Sequence, residues 1–94
     1  MTPPQDQKLL LNSDEVVWRE VGDELVVLEI SSSTYLTLNG TAKQIWEGLA
    51  DGATSDTLVE GLVARYGISA ERAKADVDVF IAELTDRDLL VHGD

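Results

Sequence analysis

The single imidazole of this 94-residue chain is His92, third from the end of the sequence, where segments fray more readily than in an element's interior. A Ser-His-Asp arrangement or a histidine metal site would have to be assembled on that segment, so neither is expected. Cysteine is absent, which excludes a thiolate nucleophile, a Cys-based zinc site, an iron–sulfur cluster and a disulfide scaffold. Carboxylates occur in pairs such as Asp76 with Asp78 and Asp86 with Asp88. On a helix, however, residues two apart point about 200° away from each other, which describes a solvated face rather than an acid/base couple. The seven glycines are scattered as turn and cap residues, and none forms a GxGxxG or GxxxxGKS/T phosphate loop. No catalytic group, metal set or cofactor is expected. The chemistry left to the chain is that of backbone edges and apolar surface.

Charge narrows the partners. Seven Lys and Arg stand against eighteen Asp and Glu, a net charge of -11. The excess is general: residues 1 to 40 hold two basic and seven acidic side chains, a balance of -5, and residues 41 to 94 hold five and eleven, a balance of -6. Nucleic acids and anionic membranes are both bound through a positive footprint, which is missing here. No basic start followed by a long apolar run opens the sequence, so a cytoplasmic location is expected, with no membrane span.

The elements that must position any site follow from patterning. MTPPQDQK, residues 1–8, carries both prolines and little apolar surface and reads as a flexible arm, leaving 9–94 as one domain. VVWRE and LVVLEI are joined through Gly22-Asp23, the composition of a tight hairpin. The second run is nearly all apolar, as in a strand covered on both faces. After three serines, Thr34 to Leu38 supplies a third extended run. At Asn39-Gly40-Thr41 the period changes to that of a helix, with Ala42, Ile45, Trp46 and Leu49 on one face. Gly52 ends this helix. Thr54 or Ser55 opens a second, with Leu58, Val59, Leu62, Val63 and Tyr66 on its apolar side, and Gly67 closes it. Ser69 opens a third, whose stripe runs through Ala73, Val77, Phe80, Ile81 and Leu84. Trp18 and Trp46 are expected to pack in the core or half-buried against it rather than to stack on a ligand. Leu9 to Leu11 and Leu89 to Val91 are apolar segments that cover its edge. The set is an α+β domain, a three-stranded antiparallel sheet followed by three helices, most economically of winged helix-turn-helix type.

Such a shape raises DNA binding as a rival, but the third helix region, Ala70 to Asp88, carries six acids and three bases and would be repelled from a groove. An acyl carrier is excluded by the β-rich front third and by the absence of an Asp-Ser-Leu attachment triplet. What remains is binding through structure. A short strand at Thr34 to Leu38 can offer unpaired backbone groups to an extended peptide. Ala75, Val79 and Ala82 give the third helix a second, smaller apolar stripe beside it.

The order Asp23-Glu24, Tyr35-Leu36-Thr37-Leu38-Asn39-Gly40-Thr41, Ile45-Trp46, Asp51-Gly52, Tyr66-Gly67, Asp76-Val77, Phe80-Ile81, Leu84 and Leu89-Leu90 resembles the PqqD family over about eighty residues. These are the recognition elements of pathways that make ribosomally synthesised, post-translationally modified peptides. The resemblance implies a protein without catalytic activity that binds a precursor's leader segment as an added antiparallel strand. By the same resemblance, the peptide contacts fall on Ser33, Thr34, Tyr35, Leu36, Thr37 and Leu38, and the helical wall on Arg72, Ala75, Asp76 and Val79. The implied partners are the precursor leader peptide and the enzymes that act on it: a leader peptidase and an ATP-dependent cyclase of a lasso-peptide pathway, or another peptide-modifying enzyme. A chaperone of the coenzyme PQQ precursor and a small structural subunit of an enzyme complex are the alternative readings.

Overall fold

The computed structural model describes residues 8–92. The arm expected over 1–8 lies outside them except for Lys8, which is exposed. The order of elements is β1 (Leu9–Leu11), β2 (Val16–Val21), β3 (Glu24–Glu29), β4 (Thr34–Leu38), α1 (Gly40–Asp51), α2 (Ser55–Tyr66), α3 (Ala70–Asp86) and β5 (Leu90–His92).

Strands β2, β3 and β4 form an antiparallel meander in that spatial order. Gly22 takes φ 62 at the first position of the β2–β3 turn, a conformation that a side chain disfavours and that suits the right-handed twist of a two-residue hairpin. The β3–β4 connection, Ile30 to Ser33, ends on Ser33 at φ 55. Register decides the faces. Val16 pairs with Glu29 and Glu29 with Thr34, Trp18 with Val27 and Val27 with Leu36, Leu25 with Leu38; these rows point inward, where Val16, Leu25, Val27 and Leu38 are buried. Val17, Leu28 and Tyr35 make a row on the opposite face, as do Arg19, Val26 and Thr37. Here the structure corrects the sequence expectation for β3: it is central in the sheet but covered on one face only, so Val26 and Leu28 remain half-buried.

Helix boundaries follow local chemistry. The Thr54 and Ser69 hydroxyls accept hydrogen bonds from the backbone N–H groups of Thr57 and Arg72, both at 3.1 Å, satisfying donors that a helix start leaves orphaned. Asn39 occupies the cap position of α1 without a side-chain bond. Gly67 at φ 65 ends α2 in the left-handed conformation. Helices α1 and α2 approach closely at Gly48, where an added Cβ would meet Leu58 Cδ2 at 2.7 Å.

The core lies between the sheet's inner face and the helices, with Ile45, Trp46, Leu49, Leu62, Val77 and Leu84 almost fully removed from water. Each such large apolar side chain contributes about 1.5–3 kcal/mol. Trp18 is half-buried and meets Trp46 edge to face, ring centroids 5.5 Å apart at 80°, so both indoles pack as expected. Tyr66 differs: it is 40% exposed beside the Arg65 guanidinium, 6.0 Å from its ring centre. The two apolar end segments do more than cover the core. Leu9, Leu10 and Leu11 pair antiparallel with His92, Val91 and Leu90, and Leu9 also exchanges backbone bonds with Ala53, tying both ends to the α1–α2 loop.

Two ion pairs join the sheet to the helices. Arg87, capping α3, donates to Glu29 at 2.8 Å, and Glu29 is the buried acid of the inner face. Lys43 of α1 meets Glu20 of β2 at 2.5 Å.

Candidate functional site

Strand β4 is an edge. With β3 on one side, its other side has no strand neighbour among the described residues, so half of its backbone donors and acceptors point away from the sheet. Its side chains alternate as a strand requires: Thr34, Leu36 and Leu38 inward, Tyr35 and Thr37 outward and exposed. One residue separates β4 from α1, so the end of this edge runs directly into the first helical turn.

That turn walls a groove. About 220 Å³ lies between Thr41, Ala42 and Ile45 of α1 and Asp76, Val79, Phe80 and Glu83 of α3. The α3 members are spaced i, i+3, i+4 and i+7, one continuous ridge of a helix. Val79 is 68% exposed although branched and apolar, so it contributes little to the core. Asp76, half-buried, and Glu83, exposed, stand on either side of it and give the groove a negative character. Glu83 is itself 3.8 Å from the Arg87 guanidinium.

Of the ten residues expected from sequence, the structure brings Asp76 and Val79 into this groove. Arg72 and Ala75 are exposed on α3 and do not line it. Ser33 ends the β3–β4 turn, and Thr34 to Leu38 form the whole edge strand. Thr41, Ala42, Ile45, Phe80 and Glu83 escaped the sequence reading of the site. The ridge spacing of Phe80 and Glu83 was a usable signal, but the wall supplied by α1 depends on a helix–helix approach that no local pattern encodes.

Electrostatics elsewhere support structure rather than chemistry. The hydrogen bond from Lys43, aided by its charge, holds the Glu20 carboxyl below its ordinary range. The same hydrogen bond to Glu20 raises the Lys43 ammonium, against a smaller opposing effect of burial. Among the described residues no group of three or more His, Cys, Asp or Glu is placed to hold a metal ion.

The family model described as Coenzyme PQQ synthesis protein D (PqqD) matches residues 24–90, from the start of β3 to the start of β5. The chain belongs to the PqqD family. Among solved structures, TbiB1 in complex with the TbiA(beta) leader peptide is similar at 27% identity and a TM-score of 0.79, over 86% of this chain and 93% of that one. A lasso peptide synthetase B1 complexed with the leader peptide is similar in fold, at 23% identity and a TM-score of 0.77, over 88% of this chain and 96% of that one. No curated protein matches the chain. As a PqqD family member it has the α+β architecture expected from its sequence, the three-stranded antiparallel sheet followed by three helices.

Proposed function

We propose that this PqqD family protein binds the leader segment of a ribosomally synthesised precursor peptide and presents it to separate modifying enzymes, without catalysing a reaction itself. The observation that carries the reading is the open β4 edge, which leads after one residue into α1, whose first turn walls a groove together with the exposed Val79 of α3. A leader peptide bound to the similar TbiB1 chain supports it. The leader adds antiparallel to Ser33–Leu38, its backbone bonds set direction and register, and one or two inward side chains enter the groove beside Asp76 and Val79. Ala75 and Arg72, about one and two turns before Val79 on α3, extend the wall toward the helix start.

Energetics allow this. Four or five net hydrogen bonds at about 0.5–1.5 kcal/mol each and two anchors at about 1.5–3 kcal/mol each exceed the roughly 2–5 kcal/mol needed to order a disordered segment. The balance reaches at most about 11 kcal/mol before the loss of translational and rotational freedom, so nanomolar affinity is the ceiling and micromolar binding lies within reach. The surface charge of -11 favours leaders with basic residues at the rim, an attraction that salt weakens.

Residues 9–94 act as one recognition domain in the cytoplasm; no helix among the described residues is long and apolar enough to cross a membrane. The enzymes served are a leader peptidase and an ATP-dependent cyclase, as in lasso-peptide formation, a reading supported by the likeness to a lasso peptide synthetase B1. Service to a PQQ precursor is the second reading, favoured by membership of a family named for coenzyme PQQ synthesis. A fluorescence-anisotropy titration tests the binding claim, using a labelled leader from a short precursor encoded beside this protein and a scrambled copy. Saturation below a few micromolar with the authentic leader alone is expected, and equal binding of both, or of neither by folded protein, overturns it.

A further inference from the structure

The groove accounts for one side of an added strand. A strand paired to β4 sends every second side chain to the other side, onto the face where the rows Val17–Leu28–Tyr35 and Arg19–Val26–Thr37 end at the open edge. This face is not ordinary solvated sheet. Tyr35 is 69% exposed, Val17 50% and Val21 52%, and Val26 and Leu28 lie half-buried between them. A shallow hollow of about 290 Å³ is walled by Val17, Trp18, Arg19, Val26, Leu28 and Tyr35. No helix or second sheet covers it among the described residues, although an antiparallel sheet with one wet face normally carries polar residues there.

Resting on the strand-addition reading, we infer that the outer face is a second specificity surface for the same peptide. The side chain directly across from Tyr35 continues the Val17–Leu28–Tyr35 row and is aromatic or branched apolar. The occupant is fixed by continuity: the row stops at the very edge to which the peptide's backbone pairs, so the next position along it belongs to the peptide. Opposed residues in neighbouring antiparallel strands have Cβ atoms about 4.5–5.5 Å apart, and a tyrosine ring there gains from an aromatic or β-branched partner. Recognition is then two-sided. Groove-facing residues alternate with the outward residue, so the recognised segment reads as consecutive apolar positions. A one-sided edge would require only every second one and leave the outward positions free.

The test combines protein and peptide variants. Authentic labelled leader is titrated against wild type, Tyr35→Ser, Tyr35→Phe and Val79→Asp, with folding checked by circular dichroism. An aspartate scan of the leader is run against wild type and Tyr35→Ser. The expected result is a loss of about five- to tenfold for Tyr35→Ser, near-complete retention in Tyr35→Phe, and one leader position whose aspartate substitution is costly in wild type but much less so in Tyr35→Ser. Wild-type binding that is lost in Val79→Asp yet unchanged in Tyr35→Ser, or a scan without a coupled position, overturns the two-sided inference and leaves strand addition standing. Absence of wild-type binding overturns both.

Discussion

Val79 separates binding from folding. It lies on α3 with 68% of its surface in water, so the fold gains little from its methyl groups. Substituting alanine removes two methyl groups, each worth about 0.8 kcal/mol when fully buried. Scaling by the 68% that a ligand has left to cover gives a loss of about 1.1 kcal/mol in peptide binding, roughly sixfold in Kd. Stability should move the other way. Alanine is the better helix former at an exposed site, by up to about 0.7 kcal/mol, so the variant should melt at the wild-type temperature or slightly above. Val79→Asp goes further, because a carboxylate three residues after Asp76 and four before Glu83 places a third like charge on the groove ridge. Its loss in binding should reach about a hundredfold, since an unpaired charge is then covered by peptide. Isothermal titration with the leader and urea denaturation of the free proteins measure the two quantities independently. Unchanged affinity in folded Val79→Ala, or a loss of affinity that merely tracks a loss of stability, refutes the assignment of this side chain to the ligand.

Three further outcomes follow from the scaffold. Arg87→Ala leaves Glu29 buried without its 2.8 Å partner, and urea denaturation should show a loss of about 2–4 kcal/mol, with much of it regained in Glu29→Gln/Arg87→Ala. The Lys43–Glu20 pair gives stability a defined pH window. The Glu20 pKa is lowered from 4.5, so its contribution is present above that value and lost as pH falls through the lower folded one; the Lys43 pKa is raised from 10.5, so its contribution is present below that value and lost as pH rises through the higher folded one. Glu20→Gln should flatten both limbs of a pH–stability curve. Ser69→Ala removes the cap that accepts from Arg72 N–H at 3.1 Å and should cost about 1 kcal/mol by thermal denaturation.

Much of this fold was legible because its signals are local. The Gly22-Asp23 hairpin, the caps at Thr54 and Ser69, and the change of period at Asn39 each depend on a few neighbouring residues, and each marks an element of the structure. The pairing of Leu9–Leu11 with Leu90–His92 was not legible, since three-residue strands from opposite ends of a chain carry no period of their own. Apolar content misled at β3: Val26 and Leu28 implied a covered second face, but the meander places them on an open one. Glu29 shows the reverse. Alternation after Leu25 and Val27 sends it inward, yet only tertiary structure brings Arg87 from 58 residues away to neutralise it. The helical side of the site was half legible for the same reason. The exposed apolar Val79 was visible on the helical wheel, whereas the opposing wall at Thr41, Ala42 and Ile45 exists only because α1 packs beside α3.

Strand addition at β4 is open to amide hydrogen exchange across residues 34–38, measured with and without saturating leader peptide. Alternate β4 amides facing the open edge should become strongly protected while those at the β2 edge, Val16–Val21, keep their free-protein rates. Saturating binding that leaves every β4 amide unchanged would contradict it.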